Sequence, residues 1–547
     1  MRNLILSTAA IALAAAGASP ALAQDSEREE RRSAGNGRVN VEPYIEVSQI
    51  FVAELSPGDD VVTYTQIATG VDASVNGRNS GGSVSVRYEY NIGYGDDALT
   101  SDTLSGVARG YTSIVPQVLT VEAGALAART RVDGNGGATL NALNGEDTES
   151  RIYSAYAGPT LSTHAGDVAV AAQYRIGYTR VETPDAIVTA PGADPLDVFD
   201  DSVSQRASIN LATRPGEPLP VGVGVGAGWA QEDVSNLDQR VRDVYVRGDV
   251  TLPVSPNVAL VAGVGYEDVE VSARDAVLDT NGNPVIGDDG RLVTDKSQPR
   301  RIAFETDGLI WDVGVVWRPS SRTAFEAHYG RRYDSDTYYG SFAWAPNQRS
   351  ALNVSVYDTI SGFGGLLTNS LANLPTEFSA TRNALTGDLG GCVAGSEGSQ
   401  CLTGALGSVR SSVFRSRGIA ANYTTQVGRL STGLGIGYDN RKFIAPEGTV
   451  LDAANGVTDE AYYMSWFLSG DLGSRAGFTT NAYMTLLDSG FDNAGEVLAV
   501  GASAAYSRSL TDRLAVRAAI ALDHIDSEDA LEDLTAASGL VGLRYGF

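Results

Sequence analysis

The feature that most constrains this chain is a two-residue alternation of apolar and small or polar side chains, repeated in short stretches from Val41 to the last residue. In Ser83 to Tyr94, residues Val84, Val86, Tyr88, Tyr90, Ile92 and Tyr94 fall on one parity, and Ser83, Ser85, Arg87, Glu89, Asn91 and Gly93 on the other. Val244, Val246, Val250 and Leu252 alternate against Asp243, Tyr245, Arg247, Asp249 and Thr251. Leu434, Ile436 and Tyr438 alternate against glycines and Asp439. Leu309, Trp311, Val313, Val315 and Trp317 oppose Gly308, Asp312, Gly314 and Arg318, with Ile310 and Val316 breaking the contrast. Successive side chains of a strand point to opposite sides, so each stretch is a strand with one oily face. A sandwich of two sheets would hide those faces in a core, whereas a membrane barrel would turn them to lipid.

The closing stretch weighs toward the second. In Ala537 to Phe547, Ala537, Gly539, Val541, Leu543, Tyr545 and Phe547 share one face, and Ser538, Leu540, Gly542, Arg544 and Gly546 the other. A carboxy-terminal Phe with aromatic or apolar residues at alternate positions before it resembles the terminal signature of bacterial outer-membrane β-barrels. That resemblance implies that Leu543, Tyr545 and Phe547 form a signal read by the barrel-assembly machinery. The competing reading is an ordinary last strand of a soluble sandwich.

The amino-terminus agrees with export. A short basic start at Arg2, an apolar run from Leu4 to Ala16 and Ala21-Leu22-Ala23 before Gln24 read as a secretory signal peptide over 1–23. Its apolar run is too short for a spanning helix, and no later run is longer. Residues 24–40 are mixed in charge and poor in apolar side chains, and are expected to be a flexible periplasmic tether. Residues 41–547 are left for the barrel. A plugged transporter would need a globular domain where the tether stands.

Short turns punctuate the rest: Asn76–Asn79, Val115–Gln117, His164–Asp167, Arg214–Glu217, Val254–Asn257, Pro319–Arg322, Pro346–Arg349, Gly428-Arg429, Gly473–Arg475 and Thr511–Arg513. Gly, Pro, Asn, Asp and Ser supply the backbone angles that tight turns need. Longer polar stretches lie between them, near 132–149, 183–200, 273–300, 361–410 and 444–459. Ten tight turns on one side, with both termini there too, give about 22 strands. The expected fold is an all-β, antiparallel, up-and-down transmembrane barrel with short periplasmic turns and long extracellular loops. The expected location is the outer membrane of a Gram-negative bacterium.

Acidic residues number 66 against 40 basic ones, a net charge of −26, which excludes a nucleic-acid binder needing a basic footprint. Outer-membrane lipid and lipopolysaccharide are the expected surroundings. Cys392 and Cys401, in a Gly- and Ser-rich stretch without nearby His, read as a local disulfide in an oxidising compartment, not as a metal site. No cofactor is expected.

Enzyme chemistry at the rim would need His beside a nucleophile or carboxylate. His524 shares the parity of Leu514, Val516, Ala518, Ile520 and Leu522, the lipid face, and His164 falls in a periplasmic turn. His328 shares a face with Glu326 and Arg332 and is expected in the lumen. A rim hydrolase is therefore the weakest reading, and no catalytic residue is assigned. The run Val221 to Trp229 (VGVGVGAGW) has G-x-G spacing but lacks the helix and βαβ setting of a phosphate loop. Its glycines are expected inside the barrel, where another segment can pack close.

The inward parity carries Arg87, Glu89, Asp243, Arg247, Asp249, Glu326, His328, Arg332, Arg517, Asp523 and Arg544, a mixed-sign lining suited to tuning which solutes pass. In 361–410, Leu366, Leu367, Leu371 and Leu374 recur at roughly helical spacing, so this loop is expected to fold into or over the mouth.

One further resemblance rests on Val39 to Tyr94 and on Phe325 to Gly362. The second stretch carries Tyr329-Gly330-Arg331-Arg332, Tyr338-Tyr339-Gly340-Ser341, the turn Pro346–Arg349 and the strand Leu352 to Ile360. These are similar to the porin-like outer-membrane β-barrels associated with exosortase and exopolysaccharide loci. The resemblance implies a conduit for surface polysaccharide and supplies no catalytic residues. The expected function is thus passive solute diffusion or polysaccharide export. The alternative is a structural or surface-interaction barrel blocked by its own loops.

Overall fold

A computed structural model describes residues 38–94, 100–129, 151–182, 201–216, 219–395, 398–402, 411–491, 495–527 and 533–547. The expected signal peptide and nearly all of the tether lie outside the described residues. The first strand starts at Arg38, slightly before the expected boundary at Val41.

The chain first lays down β1 (Arg38–Ser56), β2 (Val61–Asn76), β3 (Ser80–Gly93), β4 (Ser101–Val115), β5 (Leu119–Arg129), β6 (Arg151–Ala165), β7 (Val168–Glu182) and β8 (Asp201–Thr213). It continues through β9 (Gly222–Val234), β10 (Gln239–Ser255), β11 (Val258–Ala273), β12 (Arg301–Ser320), β13 (Thr323–Arg332), β14 (Ser335–Asn347) and β15 (Ser350–Ser361). An inserted segment follows, with helix α1 (Phe363–Ala372) and the short strands β16 (Ser379–Arg382), β17 (Leu389–Gly395) and β18 (Gly398–Cys401). The wall resumes with β19 (Phe414–Val427), β20 (Leu430–Phe443), β21 (Thr458–Asp471), β22 (Ala476–Asp488), β23 (Glu496–Ser509), β24 (Leu514–Ser527) and β25 (Leu534–Gly546).

Leaving aside the three short strands, this is one 22-stranded antiparallel sheet in which each strand pairs with its sequence neighbours and β15 pairs with β19. The ring closes where β1 meets β25, with Val47 opposite Leu543, Ile45 opposite Tyr545 and Ala53 opposite Ala537. A closed ring has no edge, so every backbone polar group in the hydrocarbon finds a partner on a neighbouring strand. The ten short turns of the sequence fall at the gaps along one end of the wall.

The oily parity looks outward. Ile520 is 68 % exposed, Leu309 66 % and Val541 60 %, values that in water would be an unprotected apolar surface. The same rows carry Val246, Val250, Leu252, Leu522 and Leu543, with Trp317, Trp344 and Phe547 toward the short-turn end and Tyr90, Tyr329 and Tyr338 toward the other. An apolar band with aromatic margins on a closed barrel is the solvent match for a bilayer. The protein is an integral outer-membrane β-barrel.

Cores form inside the barrel, in its extracellular half, where the inward rows turn apolar as well. Val107, Leu126, Ile152, Tyr156, Val181 and Val234 of the wall enclose Phe363, Leu367, Leu371 and Leu374 of the inserted segment. Ile50, Val52, Val62, Tyr64 and Leu540 enclose Ala384 and Leu385. Each such large apolar side chain contributes about 1.5–3 kcal/mol when removed from water. A loop waving in solvent would forgo that term.

Candidate functional site: a charged lumen beneath an inserted segment

The described residues between 362 and 413 leave the extracellular end of β15 and turn into the barrel. Leu367 and Leu371 lie one turn apart on α1, and both are fully buried against the wall. Gly362 at the start of α1 offers no side-chain cap. Glu232 of β9 supplies one instead: its carboxylate accepts the Gly362 N–H at 2.8 Å and the Gly365 N–H at 3.0 Å, and it accepts the Ser202 hydroxyl at 2.8 Å. Helix starts leave orphan amides, which a sequence-local capping box would ordinarily satisfy. Gly177 of β7 lets the helix come close, because the Thr368 methyl occupies the space a Cβ there would need.

Beyond the helix the segment crosses the lumen. Arg382 donates to the Ser85 carbonyl at 3.0 Å and to the Ser105 hydroxyl at 2.6 Å, while Asn481 on β22 donates to the Arg382 carbonyl at 3.2 Å. Arg129 of β5 grips Asp388 in a two-pronged pair, Nε to Oδ1 at 2.9 Å and Nη2 to Oδ2 at 3.1 Å. One extracellular loop is therefore tied to β3, β4, β5, β9 and β22. The expectation that it folds into the mouth agrees with this placement.

Cys392 and Cys401 are directly opposed in the β17–β18 register. Their side chains, and with them the expected disulfide, lie outside the described residues.

Several of the eleven charged residues expected in the lumen are engaged in ion pairs with one another or with their neighbours. Arg87 and Glu89 are 3 % and 2 % exposed, because the inserted segment covers them. Arg87 pairs with Glu89 and with Glu46, and Glu46 also takes Arg517 at 2.6 Å. Arg544 reaches Asp72 at 3.4 Å, with its guanidinium stacked over Tyr44. Asp523 is buried and accepts the Tyr483 hydroxyl at 3.0 Å. Along this part of the wall the charges are engaged in pairs, deeply buried at Glu46, Arg87 and Glu89 and part-exposed at Arg544 and Asp72.

The opposite wall carries a second group. His328 Nδ1 lies 2.8 Å from Asp312 and Nε2 lies 2.9 Å from Glu326, and the ring stacks on Tyr339 with centroids 4.7 Å apart. Arg247 approaches the same Asp312 at 3.0 Å. Arg332 leans across β11 and β12, bonding Glu267 at 3.0 Å and Asp243 at 2.6 Å. Asp249 sits over Gly224, and the Tyr245 ring fills the space beside Gly228, so the VGVGVGAGW glycines admit neighbouring side chains.

Several residues of this interior were not singled out from the sequence. Glu232 continues the inward row of Gly228 and Ala230, and that parity could have found it, but it could not have shown that the Gly362 and Gly365 amides, 130 and 133 residues away in sequence, are its partners. Arg175 and Arg206 also share the inward parity, directly opposite one another on β7 and β8. His524 sits on the lipid-facing row, with Nδ1 2.9 Å from the Thr535 hydroxyl.

No family model and no curated protein matches the chain. Among solved structures, the iron transporter FrpB of Neisseria meningitidis in its apoprotein form is similar over 92 % of this chain and 81 % of that one, at 10 % identity and a TM-score of 0.43. The open form of the ferric-catecholate import receptor Fiu from E. coli K12 covers the same shares at 10 % identity and a TM-score of 0.44. The copper transporter OprC is similar over 96 % of this chain and 82 % of its own, at 11 % identity and a TM-score of 0.38. Likeness of this degree carries no argument about what crosses the barrel.

Proposed function

We propose that the chain is an outer-membrane channel for small polar solutes, with its bore set by the described part of its inserted segment, 362–395 with 398–402 and 411–413. The observation that carries this reading is the path of that segment, anchored at Glu232, Arg129 and Ser85 on separate parts of the wall. Toward the periplasmic end the same rows as Arg247, Asp249 and Arg517 are rich in Gly, Ser, Arg and Asp residues. Such a lining suits hydrated, charged solutes.

A second reading, a structural barrel blocked by its own loop, draws support from the dry packing of Leu367, Leu371 and Leu374. Polysaccharide export, which the resemblance to exopolysaccharide-associated barrels would imply, needs the segment to swing clear, since a polymer requires a continuous wide path. Passive diffusion of small solutes needs no such movement.

Planar-bilayer recording of the purified barrel separates these readings. A small, steady conductance in the native protein, widened when 363–410 is replaced by a short Gly-Ser link, is the expected result. Silence in the native protein would overturn the channel reading. Passage of an oligosaccharide only through the shortened variant would identify the segment as a gate for larger cargo.

A further inference from the structure

Inside the barrel, beside α1, a cavity of about 280 Å³ opens between the β7–β10 wall and the upper ends of β13 and β15. At about 30 Å³ of liquid per water molecule it holds about nine waters' worth of space, enough for one sugar-sized ring. Its lining includes Arg175, Arg206, Asp243, Tyr245, Ser361 and Asn369.

Two observations mark it as built for a solute. The first is register. Arg175 on β7 stands directly opposite Arg206 on β8, Arg206 stands opposite Ala230 on β9, and Ala230 stands opposite Asp243 on β10. One row across four strands therefore reads cation, cation, small residue, anion. Like charges directly opposite one another on a sheet are unfavourable. Glu122 answers Arg175 at 3.1 Å, but Arg206 is exposed to the lumen and forms no salt bridge among the described residues.

The second is a set of unused polar atoms. Arg175 Nε, Asp243 Oδ1 and the Ser361 hydroxyl are buried without a hydrogen-bond partner among the described residues, and all three residues line this cavity. Buried polar atoms are ordinarily paired, so unpaired ones in three residues that line one void are partners in reserve for a solute that shifts these side chains as it binds. Asp243 is held in place by its other oxygen, which takes Arg332 at 2.6 Å and the Tyr333 hydroxyl at 3.3 Å. The free oxygen is thus a fixed acceptor.

From these we infer that the cavity is a binding subsite for a small hydroxy acid of the sugar-acid class. The carboxylate of such a solute lies against Arg206 and Arg175, its ring crosses the floor at Ala230, and its hydroxyls donate to Asp243 and exchange hydrogen bonds with Ser361 and Asn369. Two cations at one end select the acid, and the fixed acceptor at the other selects the hydroxyls. The inference rests on the solute-channel reading, to which it adds a substrate class.

Isothermal titration of the purified full-length barrel in detergent, with D-galacturonate, D-galactose and cyclohexanecarboxylate as probes, tests it without any need for conductance. Galacturonate is expected to bind with a Kd of about millimolar, and the two partial analogues about tenfold or more weaker. Arg206→Gln is expected to cost about tenfold for galacturonate while leaving galactose unchanged. Because Arg206 has no ion pair to lose among the described residues, this variant is expected to keep its fold, which the heat-dependent gel shift checks. No heat from galacturonate, equal binding of galactose, or an unaltered Arg206→Gln variant would each overturn the inference. Binding in a barrel that conducts nothing would instead strike the channel reading and leave the subsite standing.

Discussion

The Glu232 carboxylate, fixed on a wall strand, accepts the Gly365 amide at 3.0 Å and so caps a helix 133 residues further along the chain. With the Gly362 amide also bound, two orphan donors at the start of α1 depend on one side chain of the barrel. Glu232→Ala is expected to leave those amides buried and unmet, at a cost of about 1–3 kcal/mol. That cost falls on the docked state of the segment and not on the wall. Single-channel recording should therefore show more frequent or wider openings in Glu232→Ala, with Glu232→Gln between it and the native protein. Identical traces for all three would remove Glu232 from the control of the bore.

The tip of the segment has its own tie. Arg129 and Asp388 form a two-pronged pair with side chains 12 % and 19 % exposed, sheltered enough to exceed a surface ion pair. A double-mutant cycle over Arg129→Ala and Asp388→Ala is expected to give a coupling of about 1–3 kcal/mol, read from protease protection of the segment. Additive effects within about 0.5 kcal/mol would mean the pair contributes nothing to holding the tip.

Two inward glycines should respond in opposite ways. At Gly228 the Tyr245 ring takes the room of a side chain, whereas around Gly308 a Cβ would meet nothing within 4 Å. Gly228→Val should displace Tyr245 and destabilise the wall by about 1–3 kcal/mol, while Gly308→Ala should be close to neutral. Urea denaturation followed by tryptophan fluorescence compares the two.

The wall was legible in the sequence because membrane strands carry their signal locally. Ten tight turns fix the strand count, and alternation such as Val541, Leu543, Tyr545 against Leu540, Gly542, Arg544 fixes the face. The lumen was less legible, since its contents are set by contacts between distant residues. Leu367 and Leu371 announced a helix, but the wall residues receiving them, Val107, Leu126 and Val181, lie on rows expected to be wet. In the extracellular half both parities are apolar, one for lipid and one for the inserted segment, so parity loses its contrast. Parity alone puts Arg87 and Glu89 on the polar row and gives no sign of the inserted segment beside which they are 3 % and 2 % exposed. His328 illustrates the same limit: Glu326 follows from parity, whereas Asp312 arrives through the β12–β13 register.

The extracellular connection 274–300 offers a pH test away from the membrane. There the Asn283 and Asn281 amides donate to the Asp279 carboxylate, both at 2.8 Å, and these bonds hold its pKa below the usual carboxylate value. A depressed folded pKa stabilises the turn fully above the ordinary carboxylate value and loses that contribution as pH falls through the folded one. Exchange protection of the Asn281 and Asn283 amides should hold at neutral pH, begin to fall below about pH 4, and vanish at lower pH still. In Asp279→Ala it should be missing throughout. Protection independent of pH in the native protein would show that the carboxylate does not hold the turn.

The terminal residue separates folding from assembly. The Phe547 amide donates to the Pro43 carbonyl at 3.1 Å, fastening the end of the chain to the first strand, but that bond uses backbone alone. The Phe547 ring is 66 % exposed and touches Tyr545 edge-on at 5.2 Å, so it adds little to packing within the wall. Phe547→Ala should therefore refold in detergent within about 0.5 kcal/mol of the native barrel. If Leu543, Tyr545 and Phe547 are read by the assembly machinery, the same variant should fall sharply in outer-membrane abundance in cells, and Tyr545→Ala should fall with it. Normal abundance of Phe547→Ala in the membrane fraction would show that the ring serves the lipid interface and not recognition, because only recognition requires it before the barrel has closed.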